Sequence, residues 1–491
     1  VVSTFRSLEY KWCVTSILLP YVVYFKFRKT YCMSHGQRLE VAVGLSFLMA
    51  AALCLGGPPA RAGTLDEILP ELVETHNQVK AAEDELFAHR ERARVEVGRW
   101  YPTLDISADF GREAQWKPKA DGKPLMRKEL DLTLTQRLWD FGVINSAVRI
   151  AQLRVEGSQV FLAAQRQDIL LQGAKAYLNV KRAVDVLAFS RQAESNIKKQ
   201  AELENAMVER GAGLVTDVLQ AKVQLAGAEA RRVRDEGALQ VAVNRYRAVF
   251  LKDPGDPEEL VRPSLPVGLL PMSKEVAVQT ALEDNLQLRG AGVLSRVQSR
   301  VQSRTPTRVE RDIARENVRT SRARDFFPTF DAVGEWKLKK NVDGTSGTKR
   351  EMLGKFQLKF PLNFNLGLTA INTLRATRGD LAAMNKRLAD THDQIEEQTR
   401  NSWENLKTAK ENAEILRNQA NIAFEFLEFA RKERKLGRRS LLDVLSGETA
   451  LWNASSDATS AETDVAIAFY TLLELMAKLD LKVFSEAKPP Q

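Results

Sequence analysis

Hydrophobic and polar positions alternate with period two in four short stretches, and each predicts a β-strand with one apolar and one polar face. In the first stretch Leu104, Ile106, Ala108 and Phe110 alternate with Thr103, Asp105, Ser107 and Asp109. A polar loop over residues 117–122 leads to the second, where Leu130, Leu132, Leu134 and Leu138 alternate with Asp131, Thr133, Thr135 and Arg137. In the third, Phe330, Ala332, Gly334, Trp336 and Leu338 oppose Thr329, Asp331, Glu335 and Lys337. In the fourth, Phe356, Leu358 and Phe360 oppose Lys355, Gln357 and Lys359. The pattern suits a sheet that is apolar outside and wet inside, and equally a soluble antiparallel sheet with one buried face. The aromatics favour the first: Trp100, Tyr101, Trp116, Trp139, Phe326, Phe327 and Trp336 sit mostly at or near strand ends, as an interfacial girdle places them.

The strand pairs belong to a duplication. Tyr101-Pro102-Thr103-Leu104-Asp105 recurs as Phe327-Pro328-Thr329-Phe330-Asp331, and Gly211 with Asp217-Val218-Leu219 recurs as Gly437 with Asp443-Val444-Leu445, both at an offset of 226. Asn77 to Leu86 resembles Asn285 to Leu294 at an offset of 208, so the second half holds about 18 extra residues, most of them in the tandem slip 295–307. Each half reads helix, strand, loop, strand, very long helix, glycine-marked turn, long helix. The first helix is expected over 64–98. No proline occurs over 146–210 or 366–436, and some 65 residues at ~1.5 Å each make a rod of roughly 100 Å. Such rods are too charged to be buried and must pack side by side like coiled-coil neighbours. Gly211, Gly213 and Gly437 permit reversal, with return helices expected from Thr216 to Leu251 and Ser440 to Leu479, capped by Thr216 and Ser440.

Residues 1–62 read as a leader. From Met33 a short polar stretch with Arg38 precedes the apolar run Val41 to Leu55, and Ala60-Arg61-Ala62 offers small residues for cleavage before Gly63. Residues 1–32 read as translated upstream sequence, and Leu53 is too bulky to precede a lipidated Cys54. The expected organisation is therefore 1–32 upstream sequence, 33–62 signal peptide, 63–272 first repeat, 273–482 second repeat and 483–491 tail.

Charge and composition exclude several functions. The chain of 491 residues carries a formal charge of +9, but residues 1–62 hold seven Lys/Arg against two acids, leaving +4 over the rest, too little for a nucleic-acid footprint. All three cysteines lie in the first 54 residues, so disulfides and thiolate sites are not expected downstream. His76, His89 and His392 stand alone, with no HExxH, CxxC or GxSxG pattern, and neither an enzyme, a cofactor nor a metal site is expected.

Four strands cannot close a barrel, and an open sheet in lipid leaves its edge groups unpaired. Copies must share one wall: three give twelve strands above a ring of long helices. The alternative is a soluble coiled-coil adaptor or scaffold, which explains the helices but not two equivalent strand pairs with aromatic ends.

With these features assembled, residues 64–482 resemble the TolC-like outer-membrane efflux protein family. The resemblance rests on Tyr101-Pro102-Thr103-Leu104 and Phe327-Pro328-Thr329-Phe330, on Ala176-Tyr177-Leu178, and on the turns Gly211 to Leu219 and Gly437 to Leu445. It implies an α+β membrane protein: four antiparallel strands per chain joining a trimeric 12-stranded barrel in the outer membrane, continued by a helical coiled-coil tunnel across the periplasm. It also implies a passive duct, opened when a periplasmic adaptor (membrane fusion protein) and an inner-membrane pump of the ABC, RND or MFS type dock at the tip. By position, Asp443 would join an acidic ring at the tip, and Arg439 would face Thr216 and Asp217 of a neighbouring hairpin. Gly211, Gly213 and Gly437 would form the docking turns, and Trp100, Tyr101, Trp139, Phe327 and Trp336 the girdle. Two positions depart from the pattern: Arg434 stands where an aromatic gate partner is often found, and Ser446 where a second aspartate can occur.

Overall fold

The computed structural model describes residues 64–117, 120–121, 124–289, 307–344, 346–360 and 368–485. The expected leader, the insertion apart from Thr307, part of the polar loop and residues 486–491 lie outside the described residues.

The helix expected over 64–98 is two, α1 (Leu65–Thr75) and α2 (Asn77–Gly98). His76 breaks them: its backbone is extended, and its Nδ1 accepts from the Gln78 amide at 3.2 Å, so it serves as the N-cap of α2. Strands β1 (Thr103–Glu113) and β2 (Leu125–Trp139) follow, then α3 (Val143–Glu209) and α4 (Val215–Phe250). Short helices α5 (Lys274–Asp284) and α6 (Leu286–Arg289) lead into the second half. This comprises α7 (Arg308–Phe326), β3 (Thr329–Lys340), β4 (Thr348–Lys359), α8 (Leu368–Lys435), α9 (Leu441–Leu475) and the terminal turn α10 (Leu481–Ser485). β1 and β3 begin 226 residues apart, as do α4 and α9, and α3 and α8 end at the same offset. The sequence repeat is thus a structural repeat.

The four strands form one antiparallel sheet in the order β1-β2-β3-β4, so β1 and β4 are its edges. Its two faces differ as the alternation requires. Outward lie Leu104, Ile106, Phe110, Met126, Leu134, Met352, Phe356 and Leu358, all exposed. Inward lies a ladder of ion pairs: Arg137–Asp331 at 2.6 Å, Lys355–Glu335 at 2.5 Å, Lys337–Glu335 at 3.2 Å, Lys339–Glu351 at 3.2 Å and Lys339–Glu129 at 3.5 Å. Trp336 departs from the expected strand-end girdle. It lies mid-strand on the outward face between Leu132 and Met352, because β3 runs on to Lys340. An aromatic cluster lies at the helix end, where Phe141 stacks on Phe327 at 4.8 Å and meets Trp139 edge-on at 6.1 Å, beside exposed Tyr101. Trp100 is tied there too, its Nε1 donating to Asn145 at 3.3 Å.

The helices form a single lateral row. Nearer the sheet the neighbours run α2, α3, α7, α8; nearer the turns they run α4, α3, α9, α8. α9 of the second half therefore seals against α3 of the first, while α4 and α8 present free flanks carrying exposed Leu219, Val223, Val233 and Val241 on one side and Ile415, Ile422, Phe424 and Phe429 on the other. Among the described residues no helix is long and apolar enough to cross a membrane.

The main core gathers α1, α3, α5, α9 and the C-terminal end of α4 around Tyr177, Tyr246, Phe469 and Tyr470. Ala176, Tyr177 and Leu178 are all buried, and the Tyr177 hydroxyl donates to the Val261 carbonyl at 2.9 Å while accepting from the Val261 amide at 3.1 Å. Burial pushes that hydroxyl up to about 12, so it stays protonated throughout the working range. Tyr177→Phe is expected to strand both backbone groups and cost about 1–3 kcal/mol, read as a lower Tm with an unchanged circular-dichroism spectrum. Burial also pushes the Glu474 carboxyl up, with the charge of Asp168, itself raised chiefly by burial, adding to the shift. A raised folded-state value means the ionised form opposes folding, so stability from this pair rises as pH falls through the raised values toward the ordinary carboxylate range. Glu474→Gln is expected to raise the Tm at pH 7 and to flatten its increase between pH 7 and pH 5.

Candidate functional site at the hairpin tips

Two helical hairpins, α3–α4 and α8–α9, end in turns built alike. Gly211 and Gly437 take left-handed backbone, φ +75° and +70°. After each helix, two amides reach back: Gly211 to Val208 and Ala212 to Met207, both at 2.9 Å, and Gly437 to Arg434 at 2.9 Å and Arg438 to Glu433 at 3.0 Å. This paired closure satisfies carbonyls that the helix end would otherwise leave open, and it requires a residue tolerant of positive φ at the first position after the cap. Gly213 serves a different need: a Cβ there would lie 3.0 Å from the Val208 amide nitrogen and 2.9 Å from its side chain.

The second tip carries the charge. Ser440 caps α9 as expected, accepting from the Asp443 amide at 3.2 Å. Thr216 does not cap α4; it is the second residue of that helix, and the cap position is Leu214, which has no side-chain acceptor. Leu214 satisfies the helix start with its backbone carbonyl, which accepts from Asp217 at 3.1 Å. Arg439 is gripped three ways inside its own hairpin: Glu433 at 3.2 Å, Asp443 at 3.5 Å, and the Phe426 ring 5.0 Å from the guanidinium carbon. Among the described residues neither Thr216 nor Asp217 forms a side-chain hydrogen bond or ion pair. One chain therefore brings Arg439 and Asp443 together and leaves the other two open. Gly211, Gly213 and Gly437 all lie in the two turns.

Behind the tip lies a polar seam that the sequence pattern does not single out. Arg434, on the last turn of α8, donates to Glu204 of α3 at 2.7 Å and to the Arg439 carbonyl at 3.3 Å. One helical turn away, Arg431 pairs with Glu448 of α9 (Nε at 3.1 Å), and Asn196 of α3 donates to the other Glu448 oxygen at 3.2 Å. Both acids are almost wholly buried, at 2% and 3% exposure. The seam thus joins the two hairpins of one chain, and Arg434 is spent on this joint. The available signal was the i, i+3 spacing of Arg431 and Arg434 facing acids in otherwise apolar stripes.

Removing one member of a buried pair leaves the other's charge uncompensated. Because Arg434 is partly solvated, Arg434→Ala is expected to cost about 2–3 kcal/mol. The loss should be local, appearing as faster amide exchange in residues 196–215 and 431–448. Replacing both partners, Arg434→Leu with Glu204→Leu, is expected to recover most of it.

Comparison with known proteins identifies the family and the fold. The model of the outer membrane efflux protein family matches residues 68–249 and 302–478, one segment in each half. Outer membrane protein TolC of Escherichia coli K12 is 22% identical over 378 residues, covering 74% of this chain and 72% of that protein. The alkaline protease secretion protein AprF of Pseudomonas aeruginosa is 24% identical over 429 residues, 83% of each. Among solved structures, the CmeC outer membrane channel of Campylobacter jejuni superposes with a TM-score of 0.69 at 14% identity over 85% of this chain and 86% of that one. The outer membrane protein VceC of Vibrio cholerae superposes with 0.67 at 16% identity over 84% and 96%. The chain belongs to the outer membrane efflux protein family.

Proposed function

We propose that three copies of this chain assemble into a passive duct, a twelve-stranded barrel in the outer membrane continued by a helical tunnel through the periplasm. The observation that carries the reading is the sheet: one face apolar and exposed, the other charged and ion-paired, with both edges open. Strands of 11, 15, 12 and 12 residues are long enough to cross a hydrocarbon core when tilted. The edges are complementary in charge. The inward face of β1 carries Asp105, Asp109 and Glu113 with no base; that of β4 carries Lys349, Lys355 and Lys359 against the single acid Glu351. Edge-to-edge joining of copies sets acids beside bases, and the free apolar flanks of α4 and α8 meet in the same ring.

In this reading the leader over 33–62 exports the chain, and the hairpin tips form a closed periplasmic end. Asp443 and Asp217 line its entrance and Arg439 helps to hold it shut until an adaptor and an inner-membrane pump (ABC, RND or MFS type) dock at the turns. Transport energy comes from the pump. A relative named as a protease secretion protein supports type I secretion as one use of such a duct.

Membrane fractionation and planar-bilayer recording test the reading together. The protein is expected to need detergent for release, to run as a trimer and to conduct in small cation-preferring steps. Release by salt or alkali as a soluble monomer would favour the adaptor alternative. Asp443→Asn is expected to weaken the cation preference. Arg439→Ala is expected to raise the open fraction roughly five-fold, the equivalent of a latch worth ~1 kcal/mol. Unchanged selectivity and open fraction in both variants would remove the tip assignment while leaving the fold intact.

A further inference from the structure

The outward face of the sheet is free of acids. Every carboxylate on the four strands, Asp105, Asp109, Glu113, Glu129, Asp131, Asp331, Glu335 and Glu351, takes the inward register. Four cations take the outward register: Arg112 on β1, Lys128 on β2, Lys340 on β3 and Arg350 on β4. All four lie within four residues of the strand end that leads into the loops at 114–124 and 341–347, away from the helices. All four are exposed, and none has an ion pair among the described residues. At the opposite, helix-proximal end the outward face has no charge and is aromatic.

One juxtaposition makes the arrangement specific. Lys128 and Lys340 stand directly opposite each other on neighbouring strands, a placement that is repulsive without an anion between them. The inward face shows how such a clash is relieved. There Lys339 faces Lys349, and the Glu351 carboxylate bridges them at 3.2 and 2.5 Å. On the outward face no side chain of the strands can supply that anion.

We propose that this row of outward cations binds the phosphate groups of lipid headgroups in the outer leaflet, with Lys128 and Lys340 sharing one phosphate and Arg112 and Arg350 flanking it. The proposal rests on the barrel reading above, which sets the outward face against lipid and the loop end at the outer surface. A free phosphate would satisfy the same charges. The lipid is preferred because the row borders a continuous apolar wall: Phe110 stands directly opposite Lys128, and Leu338 opposite Arg350. A headgroup and its acyl chains can therefore be held together.

The test uses the full-length protein purified in neutral detergent and exchanged into phosphatidylcholine nanodiscs with and without lipid A, a phosphorylated glycolipid. Native mass spectrometry and thermal unfolding are the readouts. Lipid A is expected to stay bound to the wild type and to raise its Tm. The quadruple variant Arg112→Gln, Lys128→Gln, Lys340→Gln, Arg350→Gln should lose retention, at about five-fold for each cation removed. The inward, non-edge pair Lys337→Gln with Lys339→Gln should retain it. The smaller variant Lys128→Gln with Lys340→Gln removes the repulsion, so its Tm in lipid-free detergent should not fall while its response to lipid A shrinks. Equal lipid A retention in wild type and in either outward variant would overturn the proposal. So would millimolar inorganic phosphate alone reproducing the full stabilisation, which would identify a free-anion site. A wild-type protein that is neither membrane-bound nor trimeric would instead remove the duct reading beneath it.

Discussion

A peptide group in hydrocarbon has no partner but another peptide group, and this constraint decides most of the molecule. Each unpaired group costs several kcal/mol. The two open edges, β1 and β4, have 11 and 12 residues, of which about half point their amides and carbonyls away from the sheet. Left unpaired in lipid, those groups would cost far more than the roughly 5–15 kcal/mol that holds a typical protein folded. A chain with this apolar outward face and these edges is stable in a membrane only if the edges meet other edges. The helices obey the same geometry. Their lateral row ends in α4 on the β1 side and in α8 on the β4 side, each with an unsealed apolar flank, so one joining operation closes the sheet and the helical wall together.

The inward face follows from what a closed wall encloses. A water-filled lumen lets charged side chains keep most of their hydration, so the ladder of Asp331, Glu335, Lys337, Lys339 and Glu351 is tolerated where a dry core would penalise it. The ladder balances within β2 and β3 and becomes lopsided only at the two edges, acidic on β1 and mainly basic on β4. That distribution has little purpose in a single chain. It becomes intelligible when the edges are seams between copies, where opposite charges also disfavour the wrong pairing of like edges.

Much of this was legible in the sequence because it is periodic. The alternation gave the strands and their faces, and the offset of 226 gave the equivalent halves. What was missed depends on backbone conformation rather than on pattern. A hydroxyl next to a turn made Thr216 look like a helix cap, yet the same offset subtracted from Ser440 points to Leu214, which is where the cap lies. The break at His76 carries no glycine or proline to mark it, and Pro70 sits inside α1, where a sequence rule would end the helix. The alternation fades beyond Leu338, which puts Trp336 near a strand end on pattern alone, while the strand continues through Lys339, which the ladder holds, to Lys340. The seam of Arg434 with Glu204 pairs residues 230 apart, and only the lateral packing of the hairpins brings them together.

The tips show how two repeats can share a backbone and divide a task. Both turns close by the same paired amides, but the first is bare, with Gly211, Ala212 and Gly213, and the second is loaded, with Arg438 and Arg439. In the proposed ring bare and loaded hairpins alternate, so Thr216 and Asp217 on one hairpin meet Arg439 on the next. Arg439 does not wait unpaired; Glu433, Asp443 and the Phe426 ring already hold it. Any bond it makes across the ring replaces one of these, and only the difference between the two contributes to closure. A latch built by exchange is therefore weak at each subunit, and its strength comes from repetition around the axis. In the proposed duct such a latch would suit a gate opened by docking, because a partner offering a third set of contacts to the same turns would have only that small difference to overcome.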